Sequence, residues 1–278
     1  MLRNVLAGLA IVFGALTWSG QAVARDAVRL ASHRALYQMT LDRVHSGSNV
    51  TGVNGEMAIE WLRACDGWTF EHQSSMTVEF AAGETAQLST TATSWEALDG
   101  LHYRFSMRNL TNGEESDRIE GTAVIGRPGG AGKADLTSPK ARSFALPAGT
   151  LFPVAHTREV LRRALSDHAP TLFAAVVFDG MGDDGPLAAT TTIGKQRLGD
   201  AAAGTPAAPL AGQAQWPVSV AYYPVGSSSP LPKQEIGMSL YANGVADNLL
   251  IGFDDFVVRA RLAKLEYVSA PDCSGRSR

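Results

Sequence analysis

A single helix-like stretch stands between two long runs of strand-like sequence, and no other feature limits the fold of this chain as strongly. The stretch is Leu146-Pro-Ala-Gly-Thr-Leu-Phe-Pro-Val-Ala-His-Thr-Arg-Glu-Val-Leu-Arg-Arg-Ala-Leu165. Pro153 biases Phe152 toward extended backbone, which places the expected helix start beyond it. Thr157 then offers a hydroxyl to the orphan amides, and Glu159 puts a negative charge in the positive first turn. Val160, Leu161, Ala164 and Leu165 recur at helical spacing and form an apolar face, while Arg158, Arg162 and Arg163 fall largely elsewhere. Pro170 ends the element, so the expected helix covers about residues 157–167.

The flanking sequence alternates with the period of half-buried strands. Ala35, Tyr37, Met39 and Leu41 share one face, and Met57, Ile59 and Trp61 share another. Asp66-Gly67, Asp99-Gly100, Asn112-Gly113 and Asn243-Gly244 are hairpin turn signals, so residues 56–125 read as an antiparallel meander. Residues 134–144 are expected to form one weaker strand, 172–178 a well-buried one, and 249–268 a last one. Residues 199–215 are rich in Ala, Gly and Pro without periodicity and read as a flexible loop. No βαβ alternation occurs. A sheet this long must curl or split to cover its faces, so the expected class is mainly β, with a highly curved antiparallel sheet and one main helix laid against it.

The first residues read as a leader. Arg3 is followed by a short apolar run from Val5 to Leu16 and by the small-residue signal Ala22-Val23-Ala24. The run is shorter than the roughly 20 residues of a membrane span. Residues 1–24 are therefore expected to be removed on export, leaving 25–278 as one domain that is not transmembrane. Export permits a disulfide, and Cys65 and Cys273 read as a staple from the C-terminal tail to an early strand. The formal charge of −3 carries no basic stripe, which argues against nucleic acid as a partner.

Catalytic motifs are missing. None of the six histidines belongs to a His-Glu-x-x-His pair, and no Gly-x-Ser-x-Gly elbow is present. His156 reads as a cap or as a hydrogen bond to a strand. Asp179, Asp183 and Asp184 sit among glycines but lack the EF-hand order, so they read as a turn, and no metal or cofactor is expected. Trp61, Trp68, Trp95, Tyr103, Phe105 and Trp216 lie on expected strands, as core or as the lining of an apolar groove.

Three motifs carry a family resemblance: Leu146-Pro-x-Gly-Thr-Leu-Phe-Pro-x-x-His156, the Asp-Gly turn before Tyr103-Arg-Phe105, and Tyr241-x-Asn-Gly-Val245. In these the chain resembles the EipB family of exported cell-envelope integrity proteins of alphaproteobacteria, a domain of unknown function. The resemblance covers essentially all of the chain after the leader. It implies a periplasmic protein with a spiral-like or half-open barrel of sheet, a helix at its concave side and a Cys65–Cys273 disulfide. It also implies likeness to periplasmic lipoprotein carriers. The insert at 199–215 departs from the family pattern.

The expected function is non-enzymatic: an envelope factor that binds a protein partner, or a lipid or lipoprotein-like ligand, in the concave sheet. Val160, Leu161, Ala164, Leu165, Trp61 and Phe105 are the candidate groove-lining residues. One alternative is a scaffold that docks other envelope proteins through its edges. Another is a hydrolase of an envelope polymer using Asp183 and Glu159. Oligomeric state is not legible in the sequence.

Overall fold

The computed structural model describes residues 28–166, 171–182 and 185–274. The leader, Pro170, Asp183 and Asp184 lie outside the described residues. Eight strands precede the helix: β1 (His33–Val44), β2 (Val50–Arg63), β3 (Gly67–Phe80), β4 (Thr85–Ala97), β5 (His102–Thr111), β6 (Glu114–Ile125), β7 (Gly132–Ser138) and β8 (Arg142–Leu146). Helix α1 (Pro153–Ala164) follows. Then come β9 (Thr171–Val177), β10 (Leu187–Ile193), β11 (Arg197–Leu198), β12 (Ala214–Pro224), β13 (Gln234–Tyr241), β14 (Ala246–Gly252) and β15 (Phe256–Tyr267).

All fifteen strands belong to one antiparallel sheet, in the order β8-β7-β6-β5-β4-β3-β2-β1-β15-β14-β13-β12-β10-β9, with β11 paired to β12. The sheet is a curled spiral and not a closed barrel, because its end strands β8 and β9 do not pair. Leu151, just past β8, instead makes a parallel bridge to Val177 of β9. Its amide donates to the Val176 carbonyl at 2.8 Å, and its own carbonyl accepts from the Phe178 amide at 3.0 Å. Aromatic packing closes the same seam. Phe152 stacks on Tyr103 with centroids 5.1 Å apart, Tyr103 stacks on Phe105 at 5.5 Å, and Phe178 meets Phe105 edge-on at 5.4 Å. Gly180 has φ +67°, and a Cβ there would lie 2.4 Å from the Phe105 ring, so both the backbone and the close approach require glycine.

The helix begins at Pro153, four residues before the expected start. Proline restricts the residue before it and has no amide to satisfy, and both properties suit the first helical position. Phe152 is accordingly extended at ψ 168° and acts as the N-cap. Thr157 does not cap; its hydroxyl donates back to the Pro153 carbonyl at 2.9 Å. Glu159 sits past the first turn and pairs with Arg162 and Arg163 at 2.8 and 2.7 Å. Val160, Leu161 and Ala164 pack onto Phe173, Val177, Ala189, Ile193 and Trp216. Leu165 follows the last helical residue and is 47% exposed, which corrects its place on the apolar face.

Three further expectations, all about strands, are corrected. Residues 134–144 fall in a hairpin, β7–β8, and residues 249–268 fall mostly in two strands, β14 and β15. β9 is an edge strand with Leu172 66% exposed, and is not buried throughout. The 199–215 segment holds a 3-10 turn at Ala208–Leu210, and Leu210 is fully buried in the core under β1 and β15, so an apolar anchor pins a stretch that has no periodicity.

Cys65, between β2 and β3, is bonded to Cys273 beyond β15, across a separation of 208 residues. Loop closure on that scale stabilises by at most about 5 kcal/mol in the chain-entropy model. Cys65→Ser or Cys273→Ser should lower the melting temperature and speed proteolysis, and identical melting with and without reductant would contradict this. Leu161→Ala should cost roughly 2–5 kcal/mol in denaturant titration, whereas Leu165→Ala should stay within about 0.5 kcal/mol of wild type.

Candidate functional site

Inward-facing side chains from both halves of the spiral enclose a cavity of about 700 Å³. That volume lies in the range of ligand pockets, about 300–1,000 Å³. Strand alternation explains the lining. β3, β4 and β5 are in register, so Trp68, Glu96 and Tyr103 form one level, and Phe70, Ser94 and Phe105 form the next. His72, Ala92 and Met107 follow, then Ser74, Thr90 and Asn109, then Met76, Leu88 and Thr111. Tyr37, Met39, Met57 and Ile59 continue the wall on β1 and β2, and Ile236, Met238, Leu249 and Ile251 on β13 and β14. At the helix end Val154, Val160 and Tyr103 are buried; at the other end Thr111, Ser116, Met181 and Gln234 are exposed. The cavity is shut by the helix and opens at the far end.

Of the residues expected to line a groove, Trp61, Phe105 and Val160 do so. Leu161 and Ala164 point instead into the core that joins the helix to β9, β10 and β12, and Leu165 lies at the surface. Trp61 meets Trp68 edge to face with centroids 6.2 Å apart and Phe70 at 6.3 Å. Trp95 is off the lining and carries Arg104 over its ring at 4.4 Å, and Trp216 is fully buried beneath the helix.

Glu96 is the residue that local rules could not find. It is 2% exposed, and its carboxylate accepts from the Val154 amide at 2.7 Å and the Ala155 amide at 2.9 Å. The helix has no acidic residue in its own first turn, so a strand 58 residues away supplies the cap. Tyr103, opposite Glu96 on β5, donates its hydroxyl to the Asp179 carbonyl at 2.8 Å. Together these bonds hold the helix and the β9–β10 loop onto the first half of the sheet.

Burial favours the neutral form of three histidines, His33, His72 and His156. His156 lies 3.4 Å from the Thr191 hydroxyl on β10, and burial pushes its imidazole down to about 4. Burial also holds His33 and His72 below the ordinary imidazole value. His72 Nε2 is 3.0 Å from the Ser74 hydroxyl at the cavity wall. A nucleophile and its base also need an orienting group on the second ring nitrogen. No carboxylate is bonded to it among the described residues, so the pair is a hydrogen bond and not a triad. Glu159 is spent on two arginines, while Asp183 lies outside the described residues. Among the described residues no group of three or more His, Cys, Asp or Glu is placed to hold a metal ion. No helix among them is long and apolar enough to cross a membrane.

The Glu96 carboxyl is pushed up to about 7 by burial, which outweighs its two amide bonds and the Arg158 charge. A folded value above the unfolded 4.5 means that the folded chain holds this proton more tightly. The resulting stability is complete below about pH 4.5 and is lost as pH rises through about 7. Wild type should therefore lose melting temperature relative to Glu96→Gln across that window and run parallel to it above; a pH-independent difference would contradict this. Glu96→Ala, which strands two amides, should cost about 1–3 kcal/mol.

With this geometry in hand, comparison with known proteins is informative. An EipB-like family model matches residues 24–269. The cell envelope integrity protein EipB of Brucella abortus (strain 2308) is 29% identical over 260 residues, spanning 92% of this chain and 91% of the relative. The crystal structure of a beta-barrel-like protein of a domain of unknown function from Brucella abortus superposes with a TM-score of 0.78 at 28% identity. That match covers 87% of this chain and all of the other. The extent of the family match and the shared fold place this chain in the EipB-like family.

Proposed function

We propose that this protein is a non-enzymatic factor of the cell envelope, exported after loss of residues 1–24, whose 25–278 domain shelters an apolar ligand in the hollow of its spiral. The envelope role follows from the relative named for cell envelope integrity. Export to the periplasm is supported by the leader-like sequence and by the Cys65–Cys273 bond, which suits an oxidising compartment. The observation that carries the ligand reading is the cavity of about 700 Å³, walled mainly by Met, Leu, Ile, Val and aromatic side chains and open at one end.

Burying an acyl chain there contributes about 0.8 kcal/mol per methylene, so a chain of ordinary length needs no charge contact to stay bound. A scaffold reading draws on the outer edge of β8, unpaired among the described residues, which could recruit a partner strand. The cavity favours the carrier, because a scaffold needs no interior hollow.

Native mass spectrometry of the purified protein should reveal a bound lipid or lipopeptide, or uptake of an added acyl probe. Ile236→Trp, which fills the cavity from β13, should reduce occupancy at least tenfold while the circular dichroism spectrum is unchanged. Equal occupancy in the filled variant would leave the scaffold reading in its place.

A further inference from the structure

We infer that the part of the ligand held inside the cavity is an uncharged acyl chain joined through an ester or amide, and that a free carboxylate or phosphate is kept out. This rests on the carrier reading and adds the chemical class of the ligand.

The first ground is the absence of cations. Among the described residues no lysine or arginine lines the cavity. The three histidines that line it, His33, His72 and His156, are held in the neutral form by burial. The ionisable groups left are acidic, Glu96 and Asp179. The Glu96 oxygens are taken by the helix amides, and Asp179 Oδ1 accepts from the Met181 amide at 3.0 Å. A carboxylate or phosphate entering this space would lose its water without gaining a counter-ion from the lining, and at about pH 8 would also meet the ionised Glu96 carboxylate. Arg and Lys are the usual partners for such groups; Arg158 and Lys233 act from outside the lining and are shared with Glu96 and Asp179.

The second ground is a row of neutral polar groups across one wall. Ser74, Thr90 and Asn109 stand side by side on β3, β4 and β5, with His72 next along β3. The Thr90 hydroxyl donates to Asn109 Oδ1 at 2.8 Å, which leaves the Asn109 amide nitrogen with only the weak acceptor Met107 Sδ at 4.0 Å. The Asn109 N–H is therefore available to a carbonyl oxygen, while the Ser74 hydroxyl, two strands away, is engaged with His72 Nε2 at 3.0 Å. Asn109 lies roughly 20 Å along β5 from Tyr103 at the rise of an antiparallel strand. An acyl chain can run from the row toward the helix, against Met39, Met57 and Met238, whose flexible thioethers adapt to it.

The test compares two probes of equal chain length, dodecanoate and its N-methyl amide, by calorimetric titration of the full protein at about pH 8. The amide should bind at least tenfold tighter. Thr90→Val with Asn109→Leu should weaken the amide about tenfold and leave dodecanoate unchanged, whereas Thr90→Arg should shift the preference toward dodecanoate. Circular dichroism confirms that each variant is folded. Dodecanoate binding as tightly as the amide, or tighter, overturns the inference and leaves the carrier reading standing. Failure of both probes to bind overturns both. The mass of any co-purified ligand separates the two sources of this chemistry, a free neutral lipid or an acylated peptide; a free fatty acid would count against the proposal.

Discussion

The fold rests on a seam that the backbone ladder does not close. In a closed barrel the first and last strands satisfy each other, and curvature follows from hydrogen bonding alone. Here β8 and β9 do not pair among the described residues, and the ends are joined by Leu151, past β8, bridging to Val177 of β9. The curl must be held by contacts between residues far apart in sequence. Glu96 holds the helix N-terminus, Tyr103 holds the Asp179 carbonyl, and Phe105 packs on Phe178. Each of these bonds joins the first half of the chain to a segment beyond β8. If they were absent the sheet could uncoil, and the space inside it would become open surface.

The same seam explains which parts of the fold were legible in the sequence. Period-two alternation identified the inward faces of β1 and β2, because burial of one face is a local property of a strand. Asn112-Gly113 marked its turn because both residues take positive φ, 53° and 83°. The helix start was misplaced because proline sends two signals at once. It forces its predecessor out of the helix and is itself well suited to the first helical position, and local sequence does not rank the two. The cap was missed for a stronger reason. A local rule looks within a few residues, whereas Glu96 becomes the helix's neighbour only after four further strands have curled around.

The site was legible to a lesser degree. Alternation shows that Trp61, Phe105 and Met57 point inward, but not whether the inner space is filled by opposing side chains. That depends on the radius of the spiral, which is set by strand number and by the seam. Leu161 and Ala164 illustrate the ambiguity: they are inward-facing on the helix, yet they fill the core behind it instead of lining the hollow. His72, Ser74, Thr90 and Asn109 look like ordinary solvent-facing residues of Ser/Thr-rich strands. Their register across three strands, invisible in one dimension, makes them a polar row within a mainly apolar wall.

A hollow of this size also has an energetic consequence. Residual empty volume in a protein core costs roughly 24 cal/mol per Å³. At that rate a dry void of about 700 Å³ would cost on the order of 15 kcal/mol, as much as the whole stability of an ordinary domain. The space must therefore be filled, either by solvent entering from the open end or by a ligand. Water is well held only where several polar partners converge, and the Ser74–Thr90–Asn109 row is one such place on the wall. Along the methionine-rich wall it finds few partners. An acyl chain improves contact there, while a carbonyl at the row replaces the bonds that water would have made. The Asn109 end of that row thus suits a guest with a carbonyl at that depth and an apolar chain running on toward the methionines.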